Sequence, residues 1–147
     1  LNKVIEKSEI RKNGWSDLMP LLLSYRRSDL KSICEESVFG VEINPTAARQ
    51  DTYIGSFDQL PKQWARRFGL IYSNSIDQAK DIEIVAAEWK RILKPGSLVL
   101  LGFNESSPTE TDPTGNISWQ DLIALFAGEL LYYEKDGSNY NDICIRV

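Results

Sequence analysis

The period of the hydrophobic positions changes along the chain, and the longest ordered change runs from Arg67 to Phe103. Leu70, Ile71 and Tyr72 form a short apolar run that turns polar at Ser73-Asn74-Ser75. From Ile82, apolar residues recur at Val85, Ala86, Trp89, Ile92 and Leu93, the three- and four-residue spacing of a helix with one buried face. Asp81 precedes them as an N-cap, and Lys90, Arg91 and Lys94 sit where the helix dipole favours cations. Pro95-Gly96 predicts the stop. Ser97 to Phe103 is almost wholly apolar, as in a strand covered on both faces. Strand, helix and strand predict a right-handed βαβ unit. Ligands of such sheets collect beyond the carboxyl ends of the strands, here Ser73 to Asp77 and Phe103 to Glu105.

The flanking patterns complete an α/β architecture. Leu1 to Lys12 mixes charge with Val4, Ile5 and Ile10, which predicts a short amphipathic helix or a loosely packed arm ending at Asn13-Gly14. Pro20 opens a strand over Leu21 to Ser24, and Leu30, Ile33 and Cys34 predict a short helix capped by Ser28 or Asp29. Val38 to Ile43 predicts a second strand and Thr52 to Ile54 a short third one. Pro61 starts a brief helix with Trp64, Ala65 and Phe68 on its apolar face. Asn104 to Asn116 is polar and irregular, the best lid candidate. Ser118 and Asp121 form a near capping box, and Glu129 to Glu134 with Ile143 to Val147 predict an antiparallel hairpin. With no repeat or linker, residues 1–147 read as a single domain. Its sheet is mostly parallel, closed by that hairpin, with helices on both faces.

Composition narrows the chemistry. The 147 residues, 42% hydrophobic and 26% charged, suit one globular domain with its own core. The net charge of -4 argues against a nucleic-acid-coating surface, and the pairs Arg26-Arg27 and Arg66-Arg67 read as solvated faces or as a small local basic patch. There is no histidine, which removes the commonest general base and the commonest metal ligand together. Cys34 and Cys144 lack metal spacing and lie in apolar surroundings, so buried reduced thiols, no metal site and a cytoplasmic chain are expected. No apolar run approaches a membrane span or a signal peptide, so no membrane role is expected. The opening at Leu1 rather than methionine implies N-terminal processing or trimming.

Four phrases, in order, carry a resemblance. They are Gly40-Val41-Glu42-Ile43-Asn44-Pro45, Gly55-Ser56-Phe57-Asp58-Gln59-Leu60-Pro61, Phe68-Gly69-Leu70-Ile71-Tyr72-Ser73-Asn74-Ser75 and Glu88-Trp89-Lys90-Arg91-Ile92-Leu93-Lys94-Pro95-Gly96. They resemble the G-I-D-x-N-P, G-D-F-x-x-L-P, F-D-L-I-Y-S-N-S and E-x-x-R-V-L-K-P-G phrases of type 11-like class I S-adenosylmethionine-dependent methyltransferases, which share a Rossmann-like sheet ending in an antiparallel hairpin. The resemblance spans Leu21 to Val147.

It implies S-adenosylmethionine as cofactor, with no metal. Glu42 stands where the family's acid accepts hydrogen bonds from both ribose hydroxyls, and Ile43 where a side chain packs on the adenine. Ser56 replaces the acid that contacts the adenine amino group, and Phe57 flanks the ring. The family's glycine-rich first motif is degenerate: Ser24-Tyr25-Arg26-Arg27-Ser28-Asp29 contains no glycine where backbone should approach the cofactor closely. Ser24, Tyr25 and Arg26 therefore bind the cofactor along a modified path, bind another ligand, or bind nothing. The resemblance also makes Ser73, at the head of the loop that faces the substrate, a cofactor-binding residue. In that loop Asn74 orients an acceptor and Asp77 takes its proton, or else both serve only the loop backbone and solvent.

Two functions follow. One is methyl transfer to an acceptor that the sequence does not name, in an open cleft or under the 104–116 loop. The other is a catalytically inactive, methyltransferase-like binding or assembly module that has lost cofactor binding and works with a protein partner or as a homo-oligomer.

Overall fold

The computed structural model describes residues 2–6, 38–47, 51–135 and 140–147. Seven strands form one sheet: β1 (Asn2–Glu6), β2 (Val38–Glu42), β3 (Thr52–Ile54), β4 (Phe68–Ser73), β5 (Leu93–Asn104), β6 (Glu129–Lys135) and β7 (Tyr140–Arg146). Their spatial order is β3-β2-β1-β4-β5-β7-β6. β2 pairs with β3, and β4 with β5, in parallel, while β7 runs against both β5 and β6. The α/β class and the closing hairpin are as expected.

The N-terminal segment is a correction. The expected helix or arm is a strand at the middle of the sheet, antiparallel to both neighbours, with Val4 opposite Phe39 on one side and Ile71 on the other. Adjacent Val4 and Ile5 do not alternate with polar residues, so the local pattern carried no strand signal. The pairing is set by partners far along the chain. Apart from β1 and β7 the strands run one way, so the carboxyl ends of β2, β3, β4, β5 and β6 share one edge. The expected strand over Leu21 to Ser24 and the helix around Ile33 lie outside the described residues.

Helix α1 (Ile82–Ile92) buries Val85, Ala86, Trp89 and Ile92, the face its spacing predicted, and the Asp81 side chain caps it by accepting from Ile84 N. It ends three residues before the predicted stop. Leu93 is already extended and begins β5, which runs on through Pro95 and through Gly96 at φ 75°. Helix α2 (Trp119–Phe126) starts with a full capping box between Ser118 and Asp121. Trp89 and Phe126 stack at 6.3 Å, so both helices cover the same face, over Ile71, Val99, Leu101, Ile143 and Ile145. On the opposite face Leu70, Leu98, Leu100 and Cys144 are also buried, as an apolar β5 requires. Helices expected on that second face fall outside the described residues. Burial pushes the Cys144 thiol up to about 12, so it is an inert core group.

Pro61 leads only a single tight turn, Lys62–Trp64. Phe68 belongs to β4, yet Trp64 and Phe68 still meet edge to face at 5.1 Å.

Candidate functional site

The ends of β2, β3 and β4 lie at the shared carboxyl edge, and Glu42, Ser56 and Ser73 stand at or just beyond them. β2 ends at Glu42, whose Oε1 accepts from Asn44 N at 3.1 Å, leaving Oε2 without a partner among the described residues. Ile43 follows and is 73% exposed, an apolar side chain standing free beside a carboxylate. Gly55 N donates to Glu42 O at 3.0 Å, which ties the loop after β3 to the end of β2.

In that loop Ser56 is half-buried and its carbonyl accepts from Gln59 N, closing a turn. Phe57 packs into the core: its ring meets Trp89 edge to face at 6.0 Å, and its carbonyl accepts from Trp89 Nε1 at 3.0 Å. Ser73 is fully buried at the end of β4, and its Oγ accepts from Ser75 N. Asn74 is exposed, with Oδ1 accepting from Ser75 Oγ. Asp77 lies in the tight turn Ile76–Gln78. Its carboxyl is raised above the usual aspartate range, first by burial and then by the neighbouring Asp112 carboxylate, while backbone N–H groups of Asp77 and Gln78 oppose the shift. Ser24, Tyr25 and Arg26 lie outside the described residues.

The 104–116 loop is strapped down rather than free. Thr114 N donates to Asp77 O at 3.0 Å, and Thr114 Oγ1 to Ala79 O at 2.6 Å. Where the strap doubles back, Asn116 N donates to Ser106 O at 2.7 Å, and a Cβ on Gly115 would stand 2.2 Å from Pro108 N. The strap carries Asp112 toward Asp77, a pairing that no spacing in the sequence announces.

Two further features escaped the sequence reading. Glu88 and Arg91, part of a quoted phrase, form a bidentate pair that also grips the backbone of residues 60–62. Their separation of three on a helix was the available signal. Asp58, two residues after Ser56, has its Oδ1 buried without a hydrogen-bond partner. Among the described residues no cluster of three or more histidine, cysteine, aspartate or glutamate side chains could hold a metal ion, and no helix is long and apolar enough to cross a membrane.

No family model and no curated protein matches the sequence. Solved structures do match. The PH0226 protein of Pyrococcus horikoshii OT3 has a TM-score of 0.66 at 16% identity, over 89% of this chain and 88% of its own. An S-adenosylmethionine-dependent methyltransferase of Thermotoga maritima, described as a possible histamine N-methyltransferase, has a TM-score of 0.62 at 14% identity, over 89% and 87%. The 1,6-didemethyltoxoflavin-N1-methyltransferase of Burkholderia thailandensis, solved with bound 1,6-didemethyltoxoflavin and S-adenosylhomocysteine, has a TM-score of 0.63 at 13% identity, over 82% and 65%. The order of strands, the closing hairpin and these structural likenesses agree: the chain has the Rossmann-like fold of the class I S-adenosylmethionine-dependent methyltransferases.

Proposed function

We propose that the chain transfers a methyl group from S-adenosylmethionine to an acceptor held at the carboxyl edge of the sheet. The observation that carries this reading is the pair Glu42 and Ile43: an acceptor oxygen left uncommitted, next to an apolar side chain 73% exposed. Those are the two surfaces a ribose diol and a purine face need. When bound, S-adenosylmethionine supplies an already activated methyl group, so the protein's contribution is alignment. Glu42 accepts from the ribose hydroxyls and Ile43 packs on the base. Ser73 fixes the loop after β4 through Ser75 N. Asn74, exposed on that loop, orients the acceptor, and Asp77, whose raised carboxyl suits proton uptake, receives its proton. Ser24, Tyr25 and Arg26 are assigned to the amino-acid end of the cofactor on the resemblance alone. The setting we infer is the cytoplasm.

A second reading is favoured by one observation. β1, inside the sheet, runs antiparallel, so its carboxyl end lies at the edge opposite Glu42. Phe57, turned into the core against Trp89, points the same way. A binding or assembly module that has lost the cofactor, working with a protein partner or a second copy, would have this arrangement. Calorimetric titration with S-adenosylmethionine and S-adenosylhomocysteine separates the two. Micromolar binding supports the enzyme, and no heat with no thermal shift supports the module.

A further inference from the structure

Asp77 sits in a turn of only three residues, Ile76–Gln78. Gln78 N donates to Ser75 O at 3.2 Å and Ala79 N to Ile76 O at 3.1 Å. Bonds across three residues have poorer geometry than those of an α-helix, so support from outside the turn matters. One side is fixed by burial, with Ile76 and Ala79 closed off from solvent. The other side is fixed from the 104–116 loop. Thr114 N donates to Asp77 O at 3.0 Å, and Thr114 Oγ1 to Ala79 O at 2.6 Å. One residue thus grips the backbone at two carbonyls, which sets the orientation of the turn as well as its place. The Asp77 carboxylate accepts from the N–H groups of Asp77 and Gln78, so its direction follows the backbone that Thr114 holds.

We propose that Thr114 is a positioning residue for the methyl transfer, whose two hydrogen bonds set the Asp77 carboxyl where the acceptor's proton is taken. Tied in this way, the loops after β4 and β5 form one wall of the acceptor cleft. The assignment rests on the proton-accepting role given to Asp77 above and adds a residue to it. The same strap presents Asp112, and burial together with this second carboxylate holds Asp77 above the usual aspartate range. Loosening the strap weakens both causes, which gives a readout at Asp77 itself.

The test is a pH titration of the Asp77 carboxyl, followed by its carbon NMR signal in the purified full chain. Wild type, Thr114→Val and Thr114→Ser are compared. Valine matches threonine in shape but lacks the hydroxyl, and serine keeps it. The wild-type midpoint is expected above the usual aspartate range, with Thr114→Val shifted back toward that range and Thr114→Ser close to wild type. A threonine that only stabilises the fold would lower the thermal midpoint of Thr114→Val and leave the Asp77 titration where it was. That result overturns the proposal, and so does a wild-type midpoint in the usual range. Where Thr114→Val fails to fold, amide exchange of the wild type decides. Thr114 N is expected to exchange together with Gln78 N and Ala79 N, and fast exchange at Thr114 beside protected Gln78 and Ala79 overturns the proposal. Failure of the underlying function shows separately, as absence of calorimetric binding of S-adenosylhomocysteine to the wild type.

Discussion

Arg91 meets Glu88 through two hydrogen bonds of 2.7 Å, and neither side chain stops there. Glu88 also accepts from Leu60 N, and Arg91 donates to three consecutive carbonyls from Leu60 to Lys62. The pair is a clamp between a helix and a loop. Arg91→Ala removes the donors and leaves a half-buried carboxylate behind, so a loss of ~1–3 kcal/mol is expected, read from the urea midpoint. Arg91→Lys, a point charge without the planar fork, should recover only part of it.

The same clamp sets a pH dependence. Glu88 is held below the usual glutamate range, chiefly by its hydrogen bond from Arg91 and against the opposing effect of burial. A depressed carboxyl contributes stability that is complete above its unfolded value and is lost as pH falls through the folded one. Acid titration of the thermal midpoint should therefore show a loss below the ordinary glutamate range, and Glu88→Gln should reduce that slope.

Asp77 has the opposite sign. Its raised carboxyl is tolerated best when protonated, so its contribution is complete below the unfolded value and lost as pH rises through the folded one. Asp77→Asn is expected to raise the thermal midpoint at neutral pH and to make no difference in strong acid. If the proposed proton uptake is right, the same variant lowers methyl transfer while leaving affinity for S-adenosylhomocysteine unchanged.

Glu42→Ala should weaken S-adenosylhomocysteine binding by ~10-fold or more, the usual worth of hydrogen bonds to a charged group. Because Oε1 also accepts from Asn44 N, Glu42→Gln is the cleaner variant: it keeps an oxygen for the turn and replaces the free carboxylate oxygen by an NH2 donor. Unchanged calorimetric affinity in both variants would remove Glu42 from the site.

Gly115 is required by close approach, since an added Cβ would fall 2.2 Å from Pro108 N and 2.6 Å from Ser106 O, both backbone atoms. Gly115→Ala should cost ~1–3 kcal/mol locally by overpacking, and limited proteolysis within residues 105–116 should accelerate more than global unfolding does.

What the sequence made legible was local. Asp81 before a three-and-four spacing, Ser118 with Asp121, and the apolar run into Phe103 each place cap, helix or strand within a few residues of one another, and all three appear as expected. Glu42 and Ile43 are singled out by phrase, and they lie next to each other at the end of β2, with Ile43 exposed. The rest depends on contacts distant in sequence. Asn2–Glu6 becomes a strand only because Phe39 and Ile71 flank it. Phe57 turned inward because Trp89, a full loop and helix away, offered both a ring and an N–H. Asp112 reached Asp77 through a strap whose fold rests on Gly115 and Thr114. Neither period nor capping chemistry encodes such meetings.

The antiparallel β1 also has a kinetic consequence. It joins β2 and β3 on one side to β4 through β7 on the other, and both neighbours lie well downstream of it in sequence. Neither half of the sheet can be completed by a hairpin at that seam. Closing it takes two long loops whose entropy is lost before any ladder bond forms. The terminal β6–β7 hairpin and the β4–α1–β5 unit can form from near neighbours, whereas the middle of the sheet closes last. The capture of residues 2–6 between two assembled parts is therefore expected to limit refolding, and a seam left open would present the unpaired strand edges that invite aggregation.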